Sequence, residues 1–356
     1  DEAVAAWREL PAWRLGRSGR PVEDCYPQTP IQQGLWFQSQ FAAGEGVYHV
    51  QMVFDIDQPV DLEVFREAWG RVMRRHSILR TSFWGAGTDH ALQIVWDTDQ
   101  VPLTVVDWRD DPAGPEDRLA GFLSDDRTRG FDQLDLPQWR VLLARTGEQA
   151  YKLVWSAHHA ILDGWSIGLV LHDPTRCYAA VLHHEQPDLP APVSYRDYVA
   201  WLTAQPTEPT EQFWRDYLAT LTNPTPLPTV GRADPNSKGQ QKKLTMPLNA
   251  ELRESMRVFA QGQGVTVNTL MQAAWALLLA RYTGRDDVVF GTVVSGRTDQ
   301  VKDVERIVGL FINTLPLYVT IPPNQTVKEW LADLQRVNLE LRQYEHTPLH
   351  EIQHWT

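Results

Sequence analysis

Two adjacent histidines, His158 and His159, stand in the sequence Ser-Ala-His-His-Ala-Ile-Leu-Asp-Gly-Trp-Ser at 156–166. They follow an apolar run at 153–155 that predicts a buried strand, and successive side chains of a strand point to opposite faces. The two imidazoles should therefore meet different surroundings, with one of them facing a cavity. A neutral imidazole accepts a proton or a hydrogen bond near neutral pH, which suits general-base or substrate-positioning chemistry.

Asp163 and Gly164 follow the histidines, and Ser166 precedes an apolar segment at 167–171. This pattern predicts a helix with Ser166 as its N-cap. Asp163 is placed to pair with a basic residue from elsewhere in the chain, and Gly164 predicts a positive φ or a close approach by another group. Taken alone, such a histidine pair more often belongs to a hydrogen-bonded core, so the rest of the chain has to decide.

The composition indicates a folded chain of two lobes or domains. The chain has 356 residues, of which 43% are hydrophobic and 15 are tryptophan, which favours packed cores over disorder. A net charge of -12 argues against nucleic acid or an anionic membrane as the main ligand. Cys25 and Cys177 are too few for a disulfide framework or a zinc cluster. Neither a signal peptide nor an apolar run of about 18 residues is evident, which predicts a cytoplasmic protein.

Strand and helix patterns alternate along the chain and predict an α/β fold. Thr29 with Pro30 predicts the start of a helix. Pro174 falls inside the helix that should follow the histidines, and with Asp173 as a new N-cap it predicts a kink or a second helix. In the second half, the patterns predict a helix at 269–282, a buried strand at 287–294 and an amphipathic helix at 327–344.

The same patterns predict the domain organisation. Stretches rich in proline, glycine and polar residues at 186–193 and 223–240 are typical of linkers or loops. The predicted segments are a lead-in or linker at 1–24, an N-terminal lobe with the histidine motif at 25–193, bridging helices and linker at 194–240, and a C-terminal lobe at 241–356.

Six sequence blocks in order resemble those of nonribosomal peptide synthetase condensation domains. The third is the His-His-x-x-x-Asp-Gly motif of that family, and in the last, Leu349 stands where phenylalanine is usual. The resemblance extends from Tyr26 to the C-terminus, and its blocks lie at 29–37, 75–83, 158–164, 195–201, 308–314 and 346–349.

The resemblance implies two chloramphenicol acetyltransferase-like α/β sandwich lobes that open as a V, with a central tunnel between them. Upstream donor and downstream acceptor carrier proteins would bring aminoacyl or peptidyl thioesters to the two tunnel ends, beside a neighbouring adenylation domain. The acceptor's α-amine would attack the donor thioester. It implies no cofactor or metal bound by the domain itself, because the 4'-phosphopantetheine arms belong to the carrier proteins.

The resemblance also assigns the catalytic site. His159 positions the amine first and accepts its proton second, while His158 and Asp163 support the site and the amide of Gly164 faces the thioester oxygen. Arg297 matches the arginine that pairs with the motif aspartate in the family.

Other residues of the matched blocks are expected near the site. Arg80, in the block at 75–83, should support it structurally. The residues expected to line the tunnel or to contact substrate are Trp165, Ser166, Ser295 and Asn313.

Four alternatives remain beside condensation. An epimerisation domain carries the same histidine motif, although the blocks at 29–37 and 311–316 favour condensation. A heterocyclisation domain replaces the histidine pair with an aspartate pattern. A docking module that only recruits carrier proteins or a tailoring enzyme typically lacks the active histidine, whereas His159 is present. A stand-alone acyltransferase for coenzyme A thioesters should show a basic nucleotide patch. Family members also continue past 346–349, so we expect an incomplete C-terminal lobe.

Overall fold

The computed structural model describes residues 21–41, 44–85, 91–134, 136–227 and 244–356. Parts of the predicted lead-in and linker, at 1–20 and 228–240, lie outside the described residues. The chain divides into two compact units, the first ending at Gln205 and also including Arg297–Ile312, the second comprising Pro206–Gly296 and Asn313–Thr356. The lobe boundaries expected from the sequence, the V and its tunnel stay predictions.

The first unit contains two sheets. One is antiparallel with strand order β1-β4-β3, and the other has the order β2-β7-β6-β5, in which only β5 and β6 run parallel. The strands are β1 (Val22–Pro27), β2 (His49–Ile56), β3 (Thr81–Trp84), β4 (Leu92–Trp96), β5 (Leu103–Asp107), β6 (Trp139–Arg145) and β7 (Tyr151–His158). β7 is a central strand, and its last five residues are buried, as expected for a strand covered on both faces.

Helices cover these sheets. They are α1 (Pro30–Phe41), α2 (Leu62–Arg75), α3 (Gly114–Arg129), α4 (Gly164–Leu182) and α5 (Tyr195–Thr203). The predicted start of α1 is confirmed, because the hydroxyl of Thr29 accepts the backbone N–H of Gln32 at 3.3 Å and Pro30 is the first helical residue. Trp69 of α2 stacks on Trp139 of β6 in the core, with ring centroids 5.3 Å apart.

The second helix predicted at Pro174 is not observed, whereas the kink expected there stays a prediction. α4 runs through Pro174 from Gly164 to Leu182, with no second helix starting there. Asp173 does not act as an N-cap, because its carboxylate accepts from Arg75 at 3.0 Å and His76 at 2.8 Å. These bonds to the end of α2 hold α4 against that helix, so one missing backbone donor at Pro174 does not divide it.

The second unit is built on a two-stranded antiparallel sheet. Its elements are α6 (Thr207–Tyr217), α7 (Ala250–Gln263), α8 (Val267–Thr283), β8 (Asp287–Val294), β9 (Asn313–Thr320), α9 (Val327–Leu341) and α10 (Leu349–Trp355). β8 pairs with β9, with Val294 opposite Asn313. A capping box between Thr326 and Glu329 starts α9.

Open sheets flanked by helices confirm the predicted α/β class. Each unit has its own core, the first around Trp36 and Trp155 and the second around Trp214 and Leu331. Within the described ranges, no helix combines the length and apolar character needed to cross a bilayer.

Candidate functional site

The histidine turn (residues 158–161) begins where β7 ends in a short 3₁₀ turn, His159–Ile161. β7 is paired on both sides, with His158 opposite His49 of β2 and its backbone N–H bonded to the Gln138 carbonyl at 3.0 Å. Only 2% of His158 is exposed, whereas His159 is partly exposed. The two adjacent imidazoles therefore lie in different surroundings.

His158 is held on every side. Its ring stacks on Trp36, with centroids 3.8 Å apart and planes 9° from parallel. Its Nδ1 accepts the backbone N–H of Ala160 at 3.1 Å, which assigns the ring proton to Nε2, and Nε2 donates to the Ser39 hydroxyl at 3.0 Å. Burial, followed by the neighbouring His159, lowers the pKa of His158 to about 3. The ring is therefore neutral at physiological pH, but it is not available as a base because it is buried and both of its nitrogens are already bonded.

His159 has a fixed backbone and an uncommitted ring. Its N–H donates to the Tyr48 carbonyl at 2.8 Å, and its own carbonyl accepts the N–H of Leu162 at 3.3 Å. Its Nδ1 is buried without a hydrogen-bond partner among the residues that the structure describes. Among the described residues, no carboxylate accepts a hydrogen bond from the ring to orient it, as the aspartate of a catalytic triad does. The buried Nδ1 is out of reach of an incoming group, so the partly exposed ring would meet one through Nε2, which makes no hydrogen bond within the described ranges.

The aspartate cap (residues 163–166) starts α4. Ser166 was the predicted N-cap, but the structure shows that the cap is Asp163, whose Oδ1 accepts the N–H of Ser166 at 2.8 Å. The prediction was wrong because an Asp three residues before a Ser already satisfies the first turn. The hydroxyl of Ser166 instead donates to the Gly309 carbonyl at 2.7 Å.

Asp163 is saturated by partners of the same unit. Nη2 of Arg297 lies 3.3 Å and 3.4 Å from its two carboxylate oxygens, and the N–H of Phe311 donates to Oδ2 at 3.2 Å. The side chains of Asp163 and Arg297 are only 1% and 5% exposed. Burial lowers the pKa of Arg297, while Asp163 acts in the opposite direction. A pair this deeply buried is costly to break from one side.

Arg297 ties the cap to a loop at 304–311. Its Nη1 donates to the carbonyls of Val304 at 2.6 Å and Ile307 at 3.0 Å, and its guanidinium lies 4.0 Å from the centroid of Phe311. A Cβ on Gly309 would lie 2.1 Å from the ring of Tyr195. Only glycine fits there, which lets the loop approach Asp163 closely.

Gly164 and Trp165 are the exposed part of the cap. Gly164 does not have the predicted positive φ, and no protein atom lies within 4 Å of where its Cβ would be. It is a helical residue, so the expected positive φ was wrong, whereas the close approach by another group stays a prediction. Trp165 is 55% exposed, and its Nε1 donates to the Glu305 carbonyl at 2.8 Å.

Three further predicted site residues belong to neither the histidine turn nor the aspartate cap. Arg80 is buried in the first unit, where it donates to Glu23 and to the carbonyls of Met73 at 3.1 Å and Trp96 at 2.8 Å. Ser295 and Asn313 belong to the second unit. The amide of Asn313 there donates to the carbonyls at residues 345 and 347, at 2.9 Å and 2.6 Å. The roles expected for these three residues stay predictions.

No role was predicted for several residues that hold the motif. Gln32 and Ser39 of α1 contact the histidine turn, as does Trp36. Their spacing of four and three residues places them on one helical face, a signal that was present in the sequence. Gly309 carried no comparable signal, because its need for space arises from the distant Tyr195.

Comparison with known proteins identifies relatives of the whole described chain. A family model described as Condensation domain matches residues 22–356. One component of the linear gramicidin synthase of Brevibacillus parabrevis is 39% identical over 338 residues, which are 95% of this chain but 7% of that protein. The chain thus spans a small part of that relative.

Solved structures agree with this match. The X-domain in complex with OxyB from teicoplanin biosynthesis is similar with a TM-score of 0.79 and 26% identity, over 94% of this chain and 74% of that one. The first condensation domain of the calcium-dependent antibiotic synthetase, with a substrate analogue, has a TM-score of 0.74 at 19% identity, over 94% of this chain and 79% of that one. These neighbours confirm the predicted chloramphenicol acetyltransferase-like fold.

Proposed function

Since the chain belongs to the condensation domain family, we propose that it forms an amide bond between two carrier-bound substrates. The donor is an acyl or peptidyl thioester, and the acceptor is the α-amine of an aminoacyl thioester. The nitrogen–carbon bond forms as the carbon–sulfur bond breaks, and the departing donor thiolate takes up the proton that the amine loses. Both substrates arrive on 4'-phosphopantetheine arms of carrier proteins, and the domain itself supplies no cofactor.

The observation that carries this proposal is the uncommitted ring of His159 on a fixed backbone. A free α-amine has a pKa of about 8, so it must lose a proton before it can attack. A neutral imidazole can hold that amine by a hydrogen bond or accept the proton. His158 can do neither, because it is buried and both ring nitrogens are occupied.

The surroundings favour positioning over strong base catalysis. Asp163 has no acceptor site left for an imidazolium at His159, because its oxygens already accept from Arg297, Ser166 and Phe311. A thioester is also an activated acyl group that needs little help. Orienting two reactants supplies effective molarities of about 10⁵–10⁸ M, against roughly 10²–10⁴-fold for acid–base assistance.

The start of α4 supplies a place for the developing oxyanion. Gly164 is exposed, with open space on its Cα, and amides in a first helical turn have no intrahelical acceptor. We assign its N–H to the thioester oxygen as negative charge develops there. The Asp163–Arg297 pair then has a structural task, which is to hold this helix start beside the histidine turn.

The test is reconstitution with a loaded donor carrier protein and a loaded acceptor carrier protein. Intact-protein mass spectrometry should show the acceptor gaining the mass of the donor acyl group, with a matching loss from the donor. An acceptor loaded with a hydroxy acid, which lacks the α-amine, is the matched control and should not react by this route. Loss of donor without acceptor gain would contradict the proposal.

A recruitment module is the second candidate. It is favoured by the similarity to the X-domain, whose structure is a complex with OxyB. Carrier proteins that bind while no amide forms would support that candidate. An inverted α-carbon without a new amide would instead support the epimerisation alternative.

A further inference from the structure

One face of α1 contacts the histidine turn at three points. Gln32, Trp36 and Ser39 are separated by four and three residues, so they project from the same side of the helix. Each of them bonds to or stacks on residue 158 or 160. We call these three residues the α1 face. Its contacts all lie within the first unit.

Gln32 supplies the first contact and is completely buried. Its Oε1 accepts the backbone N–H of Thr29 at 2.9 Å, which fixes the amide orientation because a backbone N–H can only donate. Its Nε2 then donates to the Ala160 carbonyl and to Oε1 of Gln93, both at 3.0 Å. All the polar atoms of this amide are satisfied, so it has a single favourable orientation.

Trp36 and Ser39 supply the other two contacts through His158. Trp36 sets the plane of the imidazole by stacking. The Ser39 hydroxyl accepts a hydrogen bond from Nε2 and donates one to the Leu35 carbonyl at 2.8 Å. These contacts keep the lone pair of Nδ1 aimed at the N–H of Ala160. The histidine thus transmits the position of α1 to the next turn of backbone.

These bonds fix the peptide groups around His159. The N–H of Ala160 is bound by the His158 ring and its carbonyl by Gln32. The backbone N–H of His159 donates to the backbone carbonyl of Tyr48. The direction of the His159 side chain from its Cα is therefore set by neighbours, although its ring has no partner among the described residues.

We propose that the α1 face positions His159 for amide formation, so that Gln32 and Ser39 are positioning residues of the reaction. This inference rests on the proposed function. Its physical basis is that a misplacement of about 1 Å in a reacting group can cost on the order of 10²-fold in rate. No residue of the α1 face has to touch substrate for this effect.

Gln32→Met and Ser39→Ala, made in the full polypeptide that contains this chain, test the proposal. Gln32→Met keeps side-chain length and neutrality but loses the bond to Ala160. Gln33→Met is the matched control, because Gln33 is the next residue of α1 and its amide donates, among the described residues, only to the Gln28 carbonyl, at 3.4 Å. Varying the acceptor carrier separates kcat from KM, and thermal unfolding identifies variants that do not fold.

A second readout follows His159 itself. Diethylpyrocarbonate modifies accessible imidazoles, and peptide mass spectrometry gives the rate at His159 relative to His172, whose side chain is 58% exposed. Loosening of the histidine turn should uncover the buried Nδ1 of His159 and raise this ratio. A structural defect elsewhere in the unit would leave it unchanged.

The expected result is a fall in kcat of about 10- to 100-fold with KM unchanged, together with faster His159 modification, in Gln32→Met and Ser39→Ala but not in Gln33→Met. Folded variants with the kcat and the modification ratio of Gln33→Met would overturn the proposal. If Gln32→Met does not fold, Ser39→Ala decides by the same criteria. If the wild type forms no amide, the proposed function fails and the modification ratio alone decides whether the α1 face positions His159.

Discussion

The histidine turn and the aspartate cap are separated by one residue, yet they are built in opposite ways. In the cap, both carboxylate oxygens of Asp163 are occupied, and its partner Arg297 is bound to backbone carbonyls as well. In the turn, the backbone is equally fixed but the His159 ring is left with an unpartnered, buried nitrogen in the described part of the chain.

This difference separates architecture from chemistry within one motif. A side chain whose hydrogen bonds are all made inside the protein has no capacity left for a substrate. A side chain whose direction is fixed but whose hydrogen-bonding capacity is not used inside the protein can bind a substrate. The comparison therefore predicts that the Asp163–Arg297 pair of the cap governs stability and that His159 of the turn governs turnover.

The largest stability effect should come from Asp163→Ala. Removing the carboxylate leaves the Arg297 guanidinium buried without its counter-ion, which costs about 3–5 kcal/mol in comparable pairs. Urea unfolding monitored by tryptophan fluorescence measures it. Asp107→Ala is the matched control, because Asp107 pairs with Arg109 at the surface and its loss should leave the unfolding midpoint unchanged. Equal midpoints in the two variants would break the comparison.

A smaller, pH-dependent effect should come from His158. Burial lowers its pKa from 6.5 to about 3, so the unfolded chain takes up a proton below pH 6.5 that the native state refuses. The stabilisation is thus present above pH 6.5 and is lost as the pH falls towards 3, and about 1.4 kcal/mol of it is lost by pH 5.5.

His158→Gln removes this titration while every other group stays. The free energy of unfolding should therefore fall more steeply in the wild type than in the variant between about pH 7.5 and 5.5. These two conditions lie about 1 pH unit above and below the ordinary histidine pKa of 6.5. Parallel curves from urea titrations at each pH would show that His158 is not held neutral.

The smallest stability effect, but an informative one, should come from Gly164→Ala. An added methyl meets no protein atom and removes chain entropy from the unfolded state, so stability should rise by about 0.4–1 kcal/mol. Turnover should nevertheless fall, because the methyl occupies space beside the amide assigned to the thioester. Gly168→Ala, also in α4 with open space, should give the stability gain alone. Unchanged turnover in Gly164→Ala would remove that residue from the site.

Local patterns were sufficient for much of the fold. The strand predicted at 287–294 has those bounds as β8, and the helix predicted from Thr29 and Pro30 begins there. Each of these elements depends on periodicity or capping that neighbouring residues provide. Pro174 misled the same reasoning, because Asp173 is used by Arg75 and His76 from another helix.

The candidate site was predictable only where one motif carried it. The alternation of side chains along a strand predicted that the two histidines face different surroundings. The need for glycine at residue 309, in contrast, arises from the ring of Tyr195, which lies far earlier in the sequence. The contact of Gln32 with Ala160 joins residues 128 apart in the sequence. Contacts of that range depend on how strands and helices pack, which no local pattern contains.

The most direct test of the division between turn and cap is a paired measurement on His159→Ala, namely its single-turnover rate of amide formation and its free energy of unfolding. The rate should fall by about 10²-fold or more, with unfolding like that of the wild type. A rate near that of the wild type with both carrier proteins bound, or a rate lost only together with stability, would contradict the assignment of chemistry to His159.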